Sequence, residues 1–209
     1  MSANRLRRQA DVERLRALAA ASRGRLTLIE AAPTGGAPIR FEVRCRTAVS
    51  NEYPARAAER VLMRVNLPAR YPFERPTVTI ESPIFHPNVF PSGVVCQGER
   101  WIASESLDLL VRRMIRLATF DPAHVNPASA ANRSAASWYT AQIARTPSAF
   151  PTDQVVFDDA RTEPTTPSAD AVRRVVRHCP HCAKALRLPA GRSGTVACPG
   201  CRGEFEITT

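Results

Sequence analysis

Two rhythms of apolar and polar positions run through the first part of the chain, and each predicts its own elements. Between Ala3 and Ser22, Val12, Leu15, Leu18 and Ala19 recur at helical spacing, with arginine and glutamate on the other faces and Gly24 as a stop. The arginines of this helix are expected to form a solvated basic face. Arg25 to Ala31 reads as a strand, followed by a turn at Pro33-Thr34-Gly35-Gly36. The rhythm then becomes strict alternation, with Ile39, Phe41, Val43 and Cys45 on one face and Arg40, Glu42, Arg44 and Arg46 on the other. Such alternation predicts a half-buried strand with Cys45 in the core. Val61, Met63, Val65 and Leu67 share a phase in a strand from Arg60 to Leu67, and Val78 and Ile80 lie in a fourth. Helical spacing returns at Leu107, Leu110, Val111, Met114, Leu117 and Ala118, with Ser104 or Ser106 as cap and Arg112, Arg113 and Arg116 expected outward. Asp121-Pro122 ends that helix, and Ser129 to about Arg145 predicts another. An N-terminal helix, a four-stranded antiparallel meander and C-terminal helices make an α+β domain over residues 1–145.

From Thr146 to Asp170 the composition shifts to Pro, Thr, Ser and Asp, which predicts a linker over residues 146–177. Within it, Val155-Val156-Phe157 is a candidate docking segment for the first domain. The remaining tail, residues 178–209, carries four of the six cysteines as two Cys-x-x-Cys pairs, Cys179 with Cys182 and Cys198 with Cys201. Two such knuckles at this separation match a tetrahedral zinc ion, and four thiolates leave no open position for catalysis, so the expected cofactor is structural Zn2+. His178 and His181 lie beside the knuckles, but four cysteines already complete the set. Ala185 to Leu188 is expected to pair with Thr195 to Ala197 as a hairpin, with Glu204 to Ile207 as a third strand, which resembles a zinc ribbon. A tail of about 32 residues cannot fold on its own core, so metal binding supplies most of its stability.

Length and composition bound the rest. The chain has 209 residues and is 44% apolar, enough for one ordinary domain and something small. No apolar run approaches the ~20 residues that span a bilayer. Asp11, Glu13, Arg14 and Arg16 interrupt the place a secretory signal would occupy, and paired cysteines of metal-binding spacing suit a reducing compartment. A cytoplasmic protein with no membrane association is expected. The net charge of +10 raises the question of nucleic acid. The basic residues are spread without long runs, however, and Lys184 is the sole lysine among 29, so the excess reads as arginine-rich coding in a GC-rich, bacterial genome rather than a nucleic-acid surface.

The chemistry concentrates in Ile84 to Cys96. Pro87, Pro91 and Gly93 forbid a helix there and deny most of a strand ladder, which leaves a structured loop able to aim side chains at one point. Cys96 supplies a nucleophilic thiol, and Asn88, eight positions earlier, supplies an amide N–H donor for the oxyanion of an acyl transfer. No histidine base is needed if the acyl group arrives as a thioester.

Tyr71-Pro72-Phe73, the strand Pro76 to Ile80, His86-Pro87-Asn88 and Cys96, in this order and spacing, resemble the active-site region of ubiquitin-conjugating enzymes. The resemblance covers about Arg5 to Arg145 and implies the ubiquitin-conjugating fold. It also implies a ubiquitin-like modifier, an activating enzyme that passes it to Cys96 as a thioester, and a protein substrate whose amine attacks the thioester. Asn88 would bond the oxyanion, His86 would hold the loop, and the first helix would resemble the surface that meets the activating enzyme. An enzyme that passes a modifier to lysines also gains from carrying almost none itself. Two positions depart from the family. Only Gln97-Gly98-Glu99-Arg100 separates Cys96 from Trp101, and Asn126 stands where the family usually carries an acidic residue, with His124 two residues earlier as a candidate substitute. Two other readings stand beside this one: a non-catalytic modifier-binding variant of the fold, and a zinc-ribbon nucleic-acid or scaffold protein in which Cys96 is incidental.

Overall fold

A computed structural model of the protein describes residues 3–32, 36–98, 101–158, 174–183, 185–189, 193–198, 200–201 and 203–208. The turn expected at Pro33-Thr34-Gly35, the pair Glu99-Arg100, most of the expected linker and Lys184 lie outside them. The chain forms two units, Met1–Ala160 and Arg161–Thr209.

In the first unit, α1 (Ala3–Ala20) turns Val12, Leu15 and Leu18 into the core, and positive φ angles at Arg23 and Gly24 reverse the chain into β1 (Leu26–Glu30). The alternating run forms β2 (Ile39–Val43), with Cys45 buried just beyond it. A two-residue ladder, β3 (Thr47–Ala48) with β4 (Ala57–Ala58), follows, too short to leave a pattern in the sequence. Strands β5 (Val61–Asn66) and β6 (Thr77–Ile80) complete an antiparallel sheet of order β1-β2-β5-β6, in register at Phe41↔Met63 and Val65↔Val78. α2 (Leu107–Ala118) and α1 share one core with the inner face of this sheet. Each large apolar side chain fully buried there contributes about 1.5–3 kcal/mol. α3 (Arg133–Arg145) is capped by the Asn132 side chain and starts later than Ser129, because Pro127–Ser129 forms a separate 3₁₀ turn. No helix among the described residues is long and apolar enough to cross a membrane.

Several polar residues sit where periodicity did not put them. Ser106 is at the N-cap of α2, but its side chain makes no capping bond. The Leu107 N–H donates instead to Asp11 Oδ1 at 3.3 Å. Asp11 is fully buried and also accepts from Arg7 Nε at 2.6 Å, Arg14 Nη1 at 3.2 Å and the Tyr71 hydroxyl. Arg7 donates onward to the Ala103 carbonyl at 2.9 Å, while Arg8 is buried and donates to the Ala32 carbonyl at 3.1 Å. The basic face of α1 is therefore partly a buried clamp on the Tyr71 turn and the segment leading into α2, not a solvated surface. Of the three α2 arginines expected outward, only Arg116 is exposed. Arg112 is buried under the Phe157 ring at 4.5 Å, and Arg113 turns in to pair with Glu105.

The stretch whose composition reads as linker begins on the body of this unit. Phe150 packs with Phe120, Tyr139 and Tyr53, and the Thr152 N–H donates to the Thr119 carbonyl at 2.7 Å. Asp153 accepts the Arg46 N–H at 3.0 Å, Val155 and Phe157 pack against the main core, and the Asp158 N–H donates to the Ala21 carbonyl at 2.8 Å.

The second unit consists, among the described residues, of two antiparallel hairpins. β7 (Arg174–His178) pairs with β8 (Ala185–Pro189), and β9 (Ser193–Ala197) pairs with β10 (Glu204–Thr208). This corrects the expected pairing of Ala185 to Leu188 with Thr195 to Ala197. Each hairpin carries one cysteine pair in its connection, and β7 supplies the strand that sequence reasoning left out.

Candidate functional site

The segment from Ile84 to Cys96 is held at both ends by backbone bonds. The Phe85 N–H donates to the Ala48 carbonyl at 2.8 Å, which anchors the entry on β3. The exit runs beside β6: Ile80 N–H donates to the Gly93 carbonyl at 2.8 Å and Val95 N–H to the Val78 carbonyl at 2.9 Å. A tight turn, Gly93 N–H to the Phe90 carbonyl at 2.8 Å, folds the segment back so that Cys96 N–H reaches the Asn88 carbonyl at 2.8 Å. Gly93 has φ +84°, and a Cβ there would lie 2.3 Å from the Ile80 carbonyl oxygen, so this approach to β6 requires glycine.

His86 is fully buried, with its ring 4.4 Å from that of Phe120. Its Nδ1 accepts the Asn88 N–H at 2.9 Å, which places the ring proton on Nε2, on the side of the Leu117 carbonyl but short of hydrogen-bond geometry. Burial pushes its pKa down to about 3, with the Leu117 carbonyl pulling weakly the other way. A ring in this state is a neutral strut for the loop.

Asn88 is buried and uses its whole side chain on the loop that follows Pro122. Nδ2 donates to the Asn126 carbonyl at 2.9 Å and to the Ser129 carbonyl at 3.3 Å, and Oδ1 accepts the Asn126 N–H at 2.8 Å. The adjacent Pro87 carbonyl takes the N–H groups of Ala131 and Asn132 at 2.8 and 2.9 Å. Sequence reasoning gave an Asn88 N–H to an oxyanion; here both hydrogens already have carbonyl acceptors, and the bond to Ser129 is the longer. Asn126 accepts the Ser129 N–H on its own Oδ1 at 3.2 Å, and the His124 N–H donates to the Asp121 carbonyl at 2.8 Å.

These loops border a half-open cleft of about 580 Å³, lined by Cys96, Asn88, Gln97, Arg113, His124 and Asn126, with Met114 and Leu117 of α2 as its apolar side. The structure thus brings Cys96, Asn88, His124 and Asn126 to one space and leaves His86 behind its wall. Cys96 is half-buried, enough to be shielded and still reachable. Sequence reasoning missed Arg113 and Gln97. Arg113 lies three residues after Leu110 and four before Leu117, so helical phase does place it on the flank of the buried stripe. Gln97 donates to the Pro76 carbonyl at 2.9 Å, a contact without a local signal.

In the second unit the Sγ atoms of Cys179, Cys182, Cys198 and Cys201 lie within 4.8 Å of one another. Cys179 and Cys201 are 3.7 Å apart, Cys182 and Cys198 3.6 Å. A tetrahedral ion with metal–sulfur bonds of about 2.3 Å sets its ligands about 3.8 Å apart, so the four thiols fit a metal ion. N–H groups of Cys201 and then Gly200 pull the Cys198 thiol down to about 6, towards the thiolate that a metal needs. Gly203 backs the second knuckle, where a Cβ would fall 2.8 Å from the His181 ring.

Comparison with known proteins bears on the first unit. The model of the family described as ubiquitin-conjugating enzyme matches residues 49–148. The "Ubiquitin-conjugating enzyme E2" of African swine fever virus (strain Badajoz 1971 Vero-adapted) is 32% identical over 87 residues, covering 36% of this chain and 39% of the relative. The "Ubiquitin-conjugating enzyme E2 T" of Danio rerio is 33% identical over 75 residues, covering 36% of this chain and 31% of the relative. The chain therefore spans less than two fifths of the length of these relatives. The solved structure of S. cerevisiae Ubc12 superimposes with a TM-score of 0.50 at 22% identity, covering 67% of this chain and 72% of that one, a likeness of fold.

Proposed function

We propose, on the match of residues 49–148 to the ubiquitin-conjugating enzyme family, that this chain carries a ubiquitin-like modifier as a thioester on Cys96 and transfers it to an amine of a protein substrate. The observation that carries this reading is the convergence of Cys96, Asn88, His124 and Asn126 on one cleft. An activating enzyme supplies the modifier as its own thioester. The Cys96 thiolate attacks that carbonyl, a new S–C bond forms, and the activating enzyme leaves as a thiolate. In the second step the acceptor amine attacks the Cys96 thioester, the tetrahedral oxyanion collapses, and Cys96 leaves with the acyl group on nitrogen.

Each residue of the site has a part in this scheme. Asn88 fixes the 126–129 loop, and its N–H at 3.3 Å from the Ser129 carbonyl, the more weakly held of the two, is the one an oxyanion recruits. Loss of one such donor typically lowers the rate by about a hundredfold to a thousandfold. His124 and Asn126 face the acceptor, and His124 is the group that takes the proton released by the attacking amine. His86 keeps the loop in place without exchanging protons. In the second unit, Cys179, Cys182, Cys198 and Cys201 hold a structural zinc ion in a ribbon, which supplies folding energy and leaves the acyl chemistry to the first unit.

The test is to co-express the full chain with an activating enzyme and its modifier, then to resolve the products by non-reducing electrophoresis and intact mass. A thiol-sensitive adduct of modifier size, lost in Cys96→Ala, is expected. Absence of that adduct while the activating enzyme charges itself overturns the reading.

A further inference from the structure

The four cysteines of the second unit are not equivalent. Cys179 and Cys198 are buried, at 2% and 1% exposure, whereas Cys182 and Cys201 are exposed. Each Cys-x-x-Cys pair therefore has one sealed thiol and one open thiol. Sulfur meets sulfur across the hairpins: Cys201 Sγ lies 3.7 Å from Cys179 Sγ, and Cys182 Sγ lies 3.6 Å from Cys198 Sγ. Every open thiol thus touches a sealed one on the other hairpin. The knuckle turns are closed by backbone bonds, Ala183 N–H to the Cys179 carbonyl and Cys198 N–H to the Gly203 carbonyl, both at 2.9 Å. The cross-hairpin contacts are made with these turns intact. Oxidants act first on exposed thiolates, and the sulfenic acid that forms condenses with a thiol beside it. Metal binding keeps cysteines as thiolates, so the open corners of this cluster are reactive and each has a resolving partner in contact.

We propose that the second unit is an oxidation site: hydrogen peroxide attacks Cys182 and Cys201, and the disulfides that follow join Cys182 with Cys198 and Cys179 with Cys201. The two hairpins become tied to each other covalently, and the ion is freed. The inference rests on the zinc reading of the four cysteines and adds what that cluster does under oxidant. In the first step the exposed thiolate takes an oxygen from peroxide and a proton from water, giving a sulfenic acid and hydroxide's conjugate acid, water. The sealed thiolate then attacks that sulfur. The S–S bond forms, the S–O bond breaks, and hydroxide departs to take up a proton. Each disulfide consumes one peroxide, which accepts the two electrons, and two thiolates fewer leave the ion without its set.

The test uses the full chain as Cys96→Ala, which leaves buried Cys45 as the only cysteine outside the second unit. Its zinc is counted first by native mass spectrometry. Peroxide is then added with a colorimetric zinc chelator as the readout of release, and the remaining thiols are alkylated. Trypsin cuts after Arg177, Lys184, Arg192 and Arg202, so Cys179 and Cys182 fall in one peptide and Cys198 and Cys201 in another. The expected result is loss of about one zinc ion per chain together with one linked species of the two peptides. Fragmentation of that species should find Cys182 with Cys198 and Cys179 with Cys201. A cyclic-dione trap present during oxidation should mark Cys182 and Cys201 and spare Cys179 and Cys198. Peptides that stay separate, the opposite pairing, retained zinc, or equal trapping of all four cysteines overturns the proposal and leaves the zinc reading standing. A chain that holds no zinc before peroxide, and takes up none when zinc is supplied, overturns both.

Discussion

Acidification should destabilise the first unit through one residue, His86. Unfolded, this histidine binds a proton at about 6.5; folded, burial against Phe120 holds it at about 3. Protons therefore favour the unfolded chain throughout the interval between these values. The contribution of His86 is complete above pH 6.5 and is lost as the pH falls towards 3, at about 1.4 kcal/mol per pH unit. At about pH 5 the chain is some 1.5 units into this interval, so the loss is about 2 kcal/mol. The size of that loss does not depend on the folded value as long as it lies below the working pH. Urea unfolding followed by tryptophan fluorescence measures it cleanly, since Trp101 and Trp138 are the only tryptophans and both lie in the first unit. His86→Asn is the control: its side-chain oxygen can still accept the N–H two residues on, but it neither fills the ring's space nor titrates. It should start less stable at about pH 7.5 and lose much less between there and pH 5, with the difference in slope belonging to His86. An unmutated chain that loses under about 0.5 kcal/mol over this range, or a His86→Asn chain that loses as much as the unmutated one, would refute the reasoning.

Three further outcomes follow from single contacts. Gly93→Ala places a methyl 2.3 Å from the Ile80 carbonyl at φ +84°, and should cost about 2 kcal/mol or more in the same urea assay while slowing thioester formation on Cys96. Asn88→Ala removes three bonds to Asn126 and Ser129; hydrogen exchange at the Asn126 amide should accelerate by about tenfold or more, and unchanged protection would show that the Asn88 side chain does not hold the loop. If the four cysteines hold zinc as proposed, chelation should make the thiols of Cys179, Cys182, Cys198 and Cys201 reactive to a disulfide reagent and abolish protection in the β9–β10 ladder. The tryptophan-monitored transition of the first unit should stay where it was, and a shift in it would contradict the assignment of the metal to the second unit alone.

The sequence by itself determined whatever a local rhythm or spacing encodes. Alternation at Ile39, Phe41 and Val43 and helical spacing at Leu107, Leu110 and Met114 each imply a face, and hydrophobic burial then leaves little choice of layer. The succession of His86-Pro87-Asn88 and Cys96 marked the loop, and the two cysteine pairs marked a candidate metal site, because turns and soft ligands need particular residues at fixed separations. Tertiary structure decided where polar groups go when their partners are distant. Nothing near Asp11 says that it will take the Leu107 N–H and the Tyr71 hydroxyl, and nothing near Asn88 says that its amide will be spent on Asn126 and Ser129. A buried donor or acceptor must find a mate, but the mate is selected by which elements happen to meet. The same holds for Arg112 and Arg113, whose helix phase only put them on a boundary; Val155 and Phe157, by contrast, stood out in the sequence as an apolar docking segment within a stretch of linker composition, and they pack against the main core. In the second unit the spacing of the cysteines was readable, but the pairing of β8 with β7 was not, since short strands with weak alternation leave register to the turns that join them. Local pattern reports which face is apolar; only the assembled fold brings residues far apart in the chain to within about 3 Å, the distance at which hydrogen bonds form and chemistry is done.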